Sequence, residues 1–273
     1  MKNFIKLLSL MLAVLLFVCC FTACGKKKEV DNRPTVVVGY TIYEPMNYLD
    51  KDGKLVGFDT ELAEKVFDGL GYKVIFKEIV WENKYTDVNS NAIDCIWNGF
   101  TCNSADDDGI LRSEKVDFSY NYMENLQVVV AKKDSGITDA ASLNGKIAIA
   151  ESGSAGESYA KGFEGISFKG AIKQTDGLLE VNAGTADFAV VDAQLAKSYC
   201  GKGDYANLTI VDALTSDVEY YAIGFKKGST LTAKVNAQLE KLGKDGTLKA
   251  LGEKYNLATS VIVNFDDQKV VEK

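Results

Sequence analysis

The chain contains no histidine. That removes Ser-His-Asp and Cys-His catalysis, zinc sites built on imidazole, and the usual general base near neutral pH. Proline is almost as scarce, with Pro34 and Pro45 alone, so no proline-rich linker separates independent domains. Arginine occurs only as Arg33 and Arg112. The formal net charge is −7. An acidic surface without a basic face argues against nucleic acid as partner, and against a folded body lying on an anionic membrane.

The one long apolar run is at the N-terminus. Lys2 and Lys6 precede Leu7 to Phe21, which carries no charge, and Ala23-Cys24 follows where a signal peptidase would cut. The run falls short of the ~20 residues a spanning helix needs. Residues 1–23 therefore read as an export signal, and the formal charge becomes −9 once Lys2 and Lys6 leave with it. Cys24, after Thr22-Ala23 and before Gly25, resembles the lipidated Cys of a bacterial lipobox, although Phe21 is bulkier than the usual Leu. A lipid anchor there would hold the protein at the outer face of the cell membrane without a spanning helix. Residues 24–34 are polar and aperiodic, and read as a lipidated terminus and tether.

Of the six cysteines, Cys95, Cys102 and Cys200 belong to the mature body. They are read as buried free thiols or as one Cys95–Cys102 disulfide with a thiol left over.

From residue 35 strands and helices alternate. Thr35–Tyr40 is an apolar β run, and Asp59–Leu70 a helix with Leu62, Val66 and Leu70 on one face, ended by Gly71. Lys73–Ile79 reads as a strand, Glu82–Ser90 as a weak helix, and Ile93–Phe100 as a third strand behind a left-handed turn at Asn91. The pattern restarts with strands at Gln127–Lys133, Lys146–Ala150, Ile166–Phe168 and Asp187–Val191. Helical stretches lie between them at Ser154–Lys161, Thr175–Ala183 and Ala193–Tyr199. A strand at Tyr220–Phe225 precedes helices Thr230–Leu242, capped by Ser229, and Thr247–Tyr255. The βα alternation predicts an α/β fold of two lobes, each a mostly parallel sheet flanked by helices.

Five segments then carry a family likeness: Lys54-Leu-Val-Gly-Phe-Asp59, Ala92-Ile-Asp-Cys-Ile-Trp-Asn-Gly-Phe-Thr101, Lys115-Val-Asp-Phe-Ser119, Gly184-Thr-Ala-Asp-Phe-Ala-Val-Val-Asp192 and Asp245-Gly-Thr-Leu248. In this order they resemble the bacterial extracellular solute-binding proteins that serve polar amino acid importers. The likeness covers roughly residues 35–256. It implies a type II periplasmic-binding (flytrap) fold with residues 35–122 and 222–264 in lobe 1, 123–221 in lobe 2, hinges near 122–127 and 217–222, and a tail over 265–273. It also implies a protein that binds a free amino acid between the lobes and delivers it to an ABC importer permease; a monomer without cofactor is the default expectation.

A free amino acid is a zwitterion, so its site needs a cation, an anion and a wall. Arg112 stands four residues before Val116, where the family places the Arg that grips the α-carboxylate, and a guanidinium can donate two parallel hydrogen bonds. The inserted Ala105-Asp-Asp-Asp-Gly109 lengthens the approach to it, and the family's spacing would instead land on Asp106. Arg112 thus reads as the carboxylate ligand or as a surface Arg paired with neighbouring acids. The aspartates read as a solvated loop or a Ca²⁺ site. Asp192 ends an apolar strand at its carboxyl end, where open α/β sheets bind ligands, and is the candidate for the ammonium. Ser154 and the amide of Ala155 would meet the carboxylate from the second lobe. Asn98, Gly99 and Thr101 would add polar contacts from the first, and Tyr43 and Trp81 match the aromatic clamp.

Two alternatives stay open on the same fold. One is a ligand-sensing receptor. The other is a cyclohexadienyl dehydratase-like enzyme, in which Glu151 or Glu157 would have to serve as acid. Acidic, polar, cystine-like and basic amino acids all remain open as ligands.

Overall fold

A computed structural model describes residues 31–268, so Cys24, the signal segment and residues 269–273 lie outside the described part. From Pro34 onward the chain folds as one unit. Strand β1 (Thr35–Tyr40) leads through a short hairpin, β2 (Tyr48–Leu49) and β3 (Leu55–Val56), into helix α1 (Phe58–Gly69). Phe58, Leu62, Ala63, Val66 and Phe67 are the buried face of α1, and full burial of such large side chains stabilises by roughly 1.5–3 kcal/mol each. Strand β4 (Lys73–Glu78) then pairs with β1 in parallel. A short 3₁₀ turn and helix α2 (Lys84–Asn89) follow, and Asn91 takes the left-handed conformation at φ 60° before β5 (Cys95–Ile96).

Strand β5 is shorter than the Ile93–Phe100 run suggests. Only Cys95 and Ile96 pair with β1, because the chain turns out of the sheet at Gly99, where φ is +56°. Helix α3 (Arg112–Lys115) and β6 (Asp117–Phe118) complete this part of the first lobe. The chain then passes through β7 (Met123–Asn125) into β8 (Gln127–Lys132), β9 (Ile147–Glu151), α4 (Ala155–Lys161), β10 (Ser167–Ala171), α5 (Gln174–Ala183), β11 (Phe188–Asp192), α6 (Ala193–Tyr199) and β12 (Leu208–Thr215). It returns through β13 (Glu219–Tyr221) and β14 (Gly224–Phe225) to α7 (Leu231–Lys244) and α8 (Thr247–Lys254).

The two sheets share one plan. The first has the order β4-β1-β5-β14-β6 and the second β10-β9-β11-β8-β12. In each, the first two pairings are parallel and the last two antiparallel. Four of the five strands in each sheet therefore run the same way, as the βα alternation predicts, and only the strand at the crossing between lobes, β14 in one and β8 in the other, enters in the opposite sense. The crossings lie side by side, since β7 and β13 pair antiparallel with Glu219 opposite Asn125 and Tyr221 opposite Met123. Strand β12 and the β2–β3 hairpin lie in stretches with no predicted strand. Ser229 accepts from the Leu231 amide at 3.3 Å, one residue before the Thr230 cap position. Residues 265–268, expected in a tail, pack on lobe 1. Phe265 stacks on Tyr120 with centroids 5.7 Å apart, and Gln268 accepts from the Asn121 amide at 2.6 Å.

Candidate functional site

The carboxyl ends of the central strands of both sheets face one another across a narrow cavity. Its lining comes from both lobes: Trp81, Asn98, Gly99, Thr101 and Arg112 from the first, Glu151, Ser154, Ala155, Gln174 and Asp192 from the second. Eight of the nine predicted site residues are therefore together. The ninth, Tyr43, is not on this wall. It is buried beneath Gly99, its hydroxyl 2.8 Å from that of Tyr221. A Cβ at Gly99 would stand 2.7 Å from Tyr43 Cε1, so the two occupy successive layers of one stack.

Arg112 opens helix α3 and is 1% exposed. Its Nε donates to Asp106 at 2.8 Å, one Nη to the Thr101 carbonyl at 3.1 Å, and the other to the Gly153 carbonyl at 3.3 Å. The fork is thereby fixed, and one N–H on each terminal nitrogen is left over. That remainder matches a carboxylate in bidentate geometry. The inserted aspartates all meet cations: Asp106 pairs with Arg112 and Lys115, Asp107 with Lys161, and Asp108 with Lys115. Burial alone would raise the Asp106 carboxyl, but the Arg112 guanidinium and the Lys115 bond hold it down at about 2. No group of acidic or Cys side chains among the described residues is arranged to hold a metal.

Asp192 closes β11 at 6% exposure. Its Oδ1 accepts from Asn125 Nδ2 at 2.7 Å and Gln127 Nε2 at 2.6 Å. Gln174 holds its other side, donating to Oδ2 and accepting from the Asp192 amide at 2.9 Å. Burial raises the carboxyl, and the Gln174 and Gln127 bonds oppose that rise. Behind it, Glu219 takes the same two amide donors, from Asn125 at 2.6 Å and Gln127 at 2.7 Å. Burial and the Asp192 charge push Glu219 up to about 7.

The remaining first-lobe contacts divide by role. The Asn98 side chain is spent on the framework: Nδ2 donates to the Thr41 carbonyl at 2.8 Å and Asn47 Oδ1 at 2.7 Å, and Oδ1 accepts from Thr41 Oγ1 at 2.7 Å. What Asn98 offers the cavity is backbone. The Gly99 amide is likewise taken, by Asp59 Oδ2 at 2.8 Å. Trp81 stands edge-on to Phe100 with centroids 5.3 Å apart, and Lys84 Nζ lies 5.1 Å from the Trp81 ring. Burial, with the nearby Arg112 charge, pushes the Lys84 ammonium down to about 7. On the second lobe Ser154 caps α4, its hydroxyl accepting from the Glu157 amide at 3.0 Å. Cys95, Cys102 and Cys200 are free thiols, with Cys95 buried in β5 away from the cavity lining.

Three residues that matter here were not sequence candidates for binding. Glu151 ends β9 as Asp192 ends β11, and these strands are parallel neighbours. The rule that singled out Asp192 would have found it. Gln174 opens α5 just past β10 and follows from the same rule. Glu219 had no local signal, since it reaches Asp192 only through the β7–β13 pairing.

Two mixed sheets joined by a paired crossing, with charged groups of both signs in the cleft between them, define a two-lobed binding protein of the type II flytrap class. Residues 36–258 match the bacterial extracellular solute-binding proteins, family 3, and the chain belongs to that family. It is 28% identical over 240 residues to the arginine-binding extracellular protein ArtP of Bacillus subtilis, covering 86% of this chain and 91% of that protein. The L-cystine-binding protein TcyA of the same organism is 31% identical over 216 residues, 78% of this chain and 77% of that one. Among solved structures, an ancestral arginine-binding protein bound to glutamine superposes with a TM-score of 0.75 at 32% identity, covering 82% of this chain and 99% of that one. These relatives are named as binding proteins, not enzymes.

Proposed function

We propose that this chain captures a free amino acid between its lobes and presents it to the permease of an ABC importer. The observation that carries the reading is the opposition of Arg112 and Asp192 across a single cavity. The two free N–H groups of Arg112 take the α-carboxylate, with Thr101 beside them and Ser154 and the Ala155 amide opposite. Asp192, aligned by Gln174, Gln127 and Asn125, takes the α-ammonium. Trp81 and the backbone at Asn98 and Gly99 supply the wall. Requiring both charges at once excludes simple anions and simple cations, and exclusion of water makes each charge-assisted bond stronger and each mismatch costlier. The protein acts as an exported, monomeric lipoprotein, anchored through Cys24 after removal of residues 1–23, and binds without turnover.

The test is thermal unfolding of purified protein, refolded to strip carried-over ligand, against each common amino acid and cystine. A ligand at ~1,000 times its dissociation constant adds about 4 kcal/mol, and so raises the midpoint by several degrees. One responder or a related set, lost in Arg112→Ala and Asp192→Ala, is expected. Silence across the set with intact folding would overturn amino acid capture. For the anchor, Cys24→Ser is expected to abolish labelling by radioactive palmitate in cells, and retained labelling would refute it.

A further inference from the structure

Glu151 is left over once the two ends of a zwitterion are assigned. It lies on the cavity wall, is 3% exposed, and its Oε1 is buried without a hydrogen-bond partner. A buried polar atom of this kind is rare and costly, and a carboxylate is among the costliest. The nearest cation does not relieve it. Lys84 Nζ donates to the Gly153 carbonyl at 2.8 Å and sits among the rings of Trp81, Tyr85 and Phe100, so its influence on Glu151 is a through-space attraction only. The other charges around Glu151 are Asp192 and Asp176, which repel it, and the half-exposed Lys173, which bonds Glu78. Burial first, and then the Asp192 charge, pushes the Glu151 carboxyl well above the usual range, as expected of an acid lacking its cation.

The charge balance of the wall points the same way. Arg112 is its one cation, already paired with Asp106, and it stands against two carboxyl groups, Glu151 and Asp192. A neutral side chain would leave one of those carboxyl groups without a cation, sealed into the cavity either unpaired or protonated. A ligand with a second positive group would pair both.

We propose that Glu151 is the specificity-determining residue of this cavity and that its partner is a cationic group, guanidinium or ammonium, on the ligand's side chain. This rests on amino acid capture as set out above, with Arg112 and Asp192 at the α-carbon. Glu151 then reads the far end of the same molecule. Selectivity arises because a cation pairs with ionised Glu151, whereas closing over an uncharged chain leaves the group either desolvated and unpaired or protonated, with no charge-assisted bond gained.

Calorimetric titration of the refolded full chain separates the cases. Arginine and lysine are compared with citrulline and glutamine, which keep the length and polarity without the charge, and cystine adds a second ammonium on a different stem. At least one cationic ligand is expected to bind roughly tenfold or more tightly than citrulline and glutamine. In Glu151→Gln, confirmed folded by circular dichroism and its thermal midpoint, that preference is expected to collapse, because the loss falls on the charged ligand. Citrulline or glutamine binding as tightly as every cationic ligand, or an undiminished preference in Glu151→Gln, would overturn the assignment while leaving amino acid capture standing. Absence of binding by any amino acid to folded protein would overturn both.

Discussion

Asp106 Oδ1 accepts from Arg112 Nε at 2.8 Å, and Lys115 meets the other oxygen at the same distance. The extra residues before Arg112 therefore do not displace it from the cleft. They fold back and supply an acid that holds the guanidinium at Nε, with one N–H on each terminal nitrogen left over. Asp106→Asn is expected to lower the unfolding free energy at pH 7 by about 1–2 kcal/mol, since it removes a partly buried charge-assisted bond. Its carboxyl is held at about 2 in the folded chain, so this contribution is present above about pH 4 and is lost as pH falls towards 2. Urea unfolding at pH 7 and at pH 2.5 should show the difference between the two proteins shrinking with acidity.

Asp107 reaches across the cleft. It accepts from Ser158 Oγ at 3.1 Å and pairs with Lys161, both on helix α4 of the second lobe. These contacts exist only while the lobes are together. Asp107→Ala is expected to weaken ligand affinity about two- to fivefold, mainly through a faster dissociation rate, as befits an exposed pair of about 0.2–1 kcal/mol. In roughly 1 M salt the gap from the parent protein should narrow, because exposed charges are screened. Stopped-flow dissociation at two salt concentrations measures both effects.

Asp59 sits fully buried at the start of α1, where Oδ2 accepts from the Gly99 amide at 2.8 Å and the Tyr122 hydroxyl at 2.9 Å. Burial pushes its carboxyl up to about 7 against those bonds. Between the ordinary carboxylate value and 7 the folded state thus binds a proton that the unfolded chain releases, and stability falls as pH rises through that window. The thermal midpoint should be higher at pH 5 than at pH 8. Asp59→Asn should flatten the profile in part, with Glu219, also raised to about 7, and the raised carboxyls of Asp192 and Glu151 keeping the remainder. An unchanged slope in the variant would show that Asp59 does not carry the proton.

Gly99→Ala combines two penalties. The position needs φ of +56°, and the new Cβ would lie 2.7 Å from Tyr43 and 3.0 Å from Tyr221, both fully buried. A loss of about 2–4 kcal/mol in chemical denaturation is expected. Because Gly99 also lines the cavity, ligand affinity should drop with it.

Much of the architecture was legible because it follows from periodicity. The Leu62, Val66 and Leu70 spacing fixed α1, and the apolar run ending at Asp192 fixed β11 with its carboxylate at the cleft. Strand β12 escaped notice because its pattern is broken: a register shift between Ile210 and Thr215 lets it follow β8 only in part. The one reversed strand of each sheet, β14 and β8, escaped as well, since strand sense depends on where the chain crosses between lobes. Tyr43 matched the clamp by position, yet its hydroxyl goes to Tyr221, 178 residues further on.

The sequence by itself determined the two-lobed α/β plan and the position of Asp192 at the carboxyl end of a strand, because hydrophobic spacing and strand ends are local properties of the chain. Only the tertiary structure decided that Asp106 braces Arg112, that the Asn98 side chain serves the framework, and that Glu151 faces the cavity unpaired. Those outcomes depend on burial and on partners far along the chain, and a carboxylate's meaning changes from solvated surface to unmet demand when water is removed from around it.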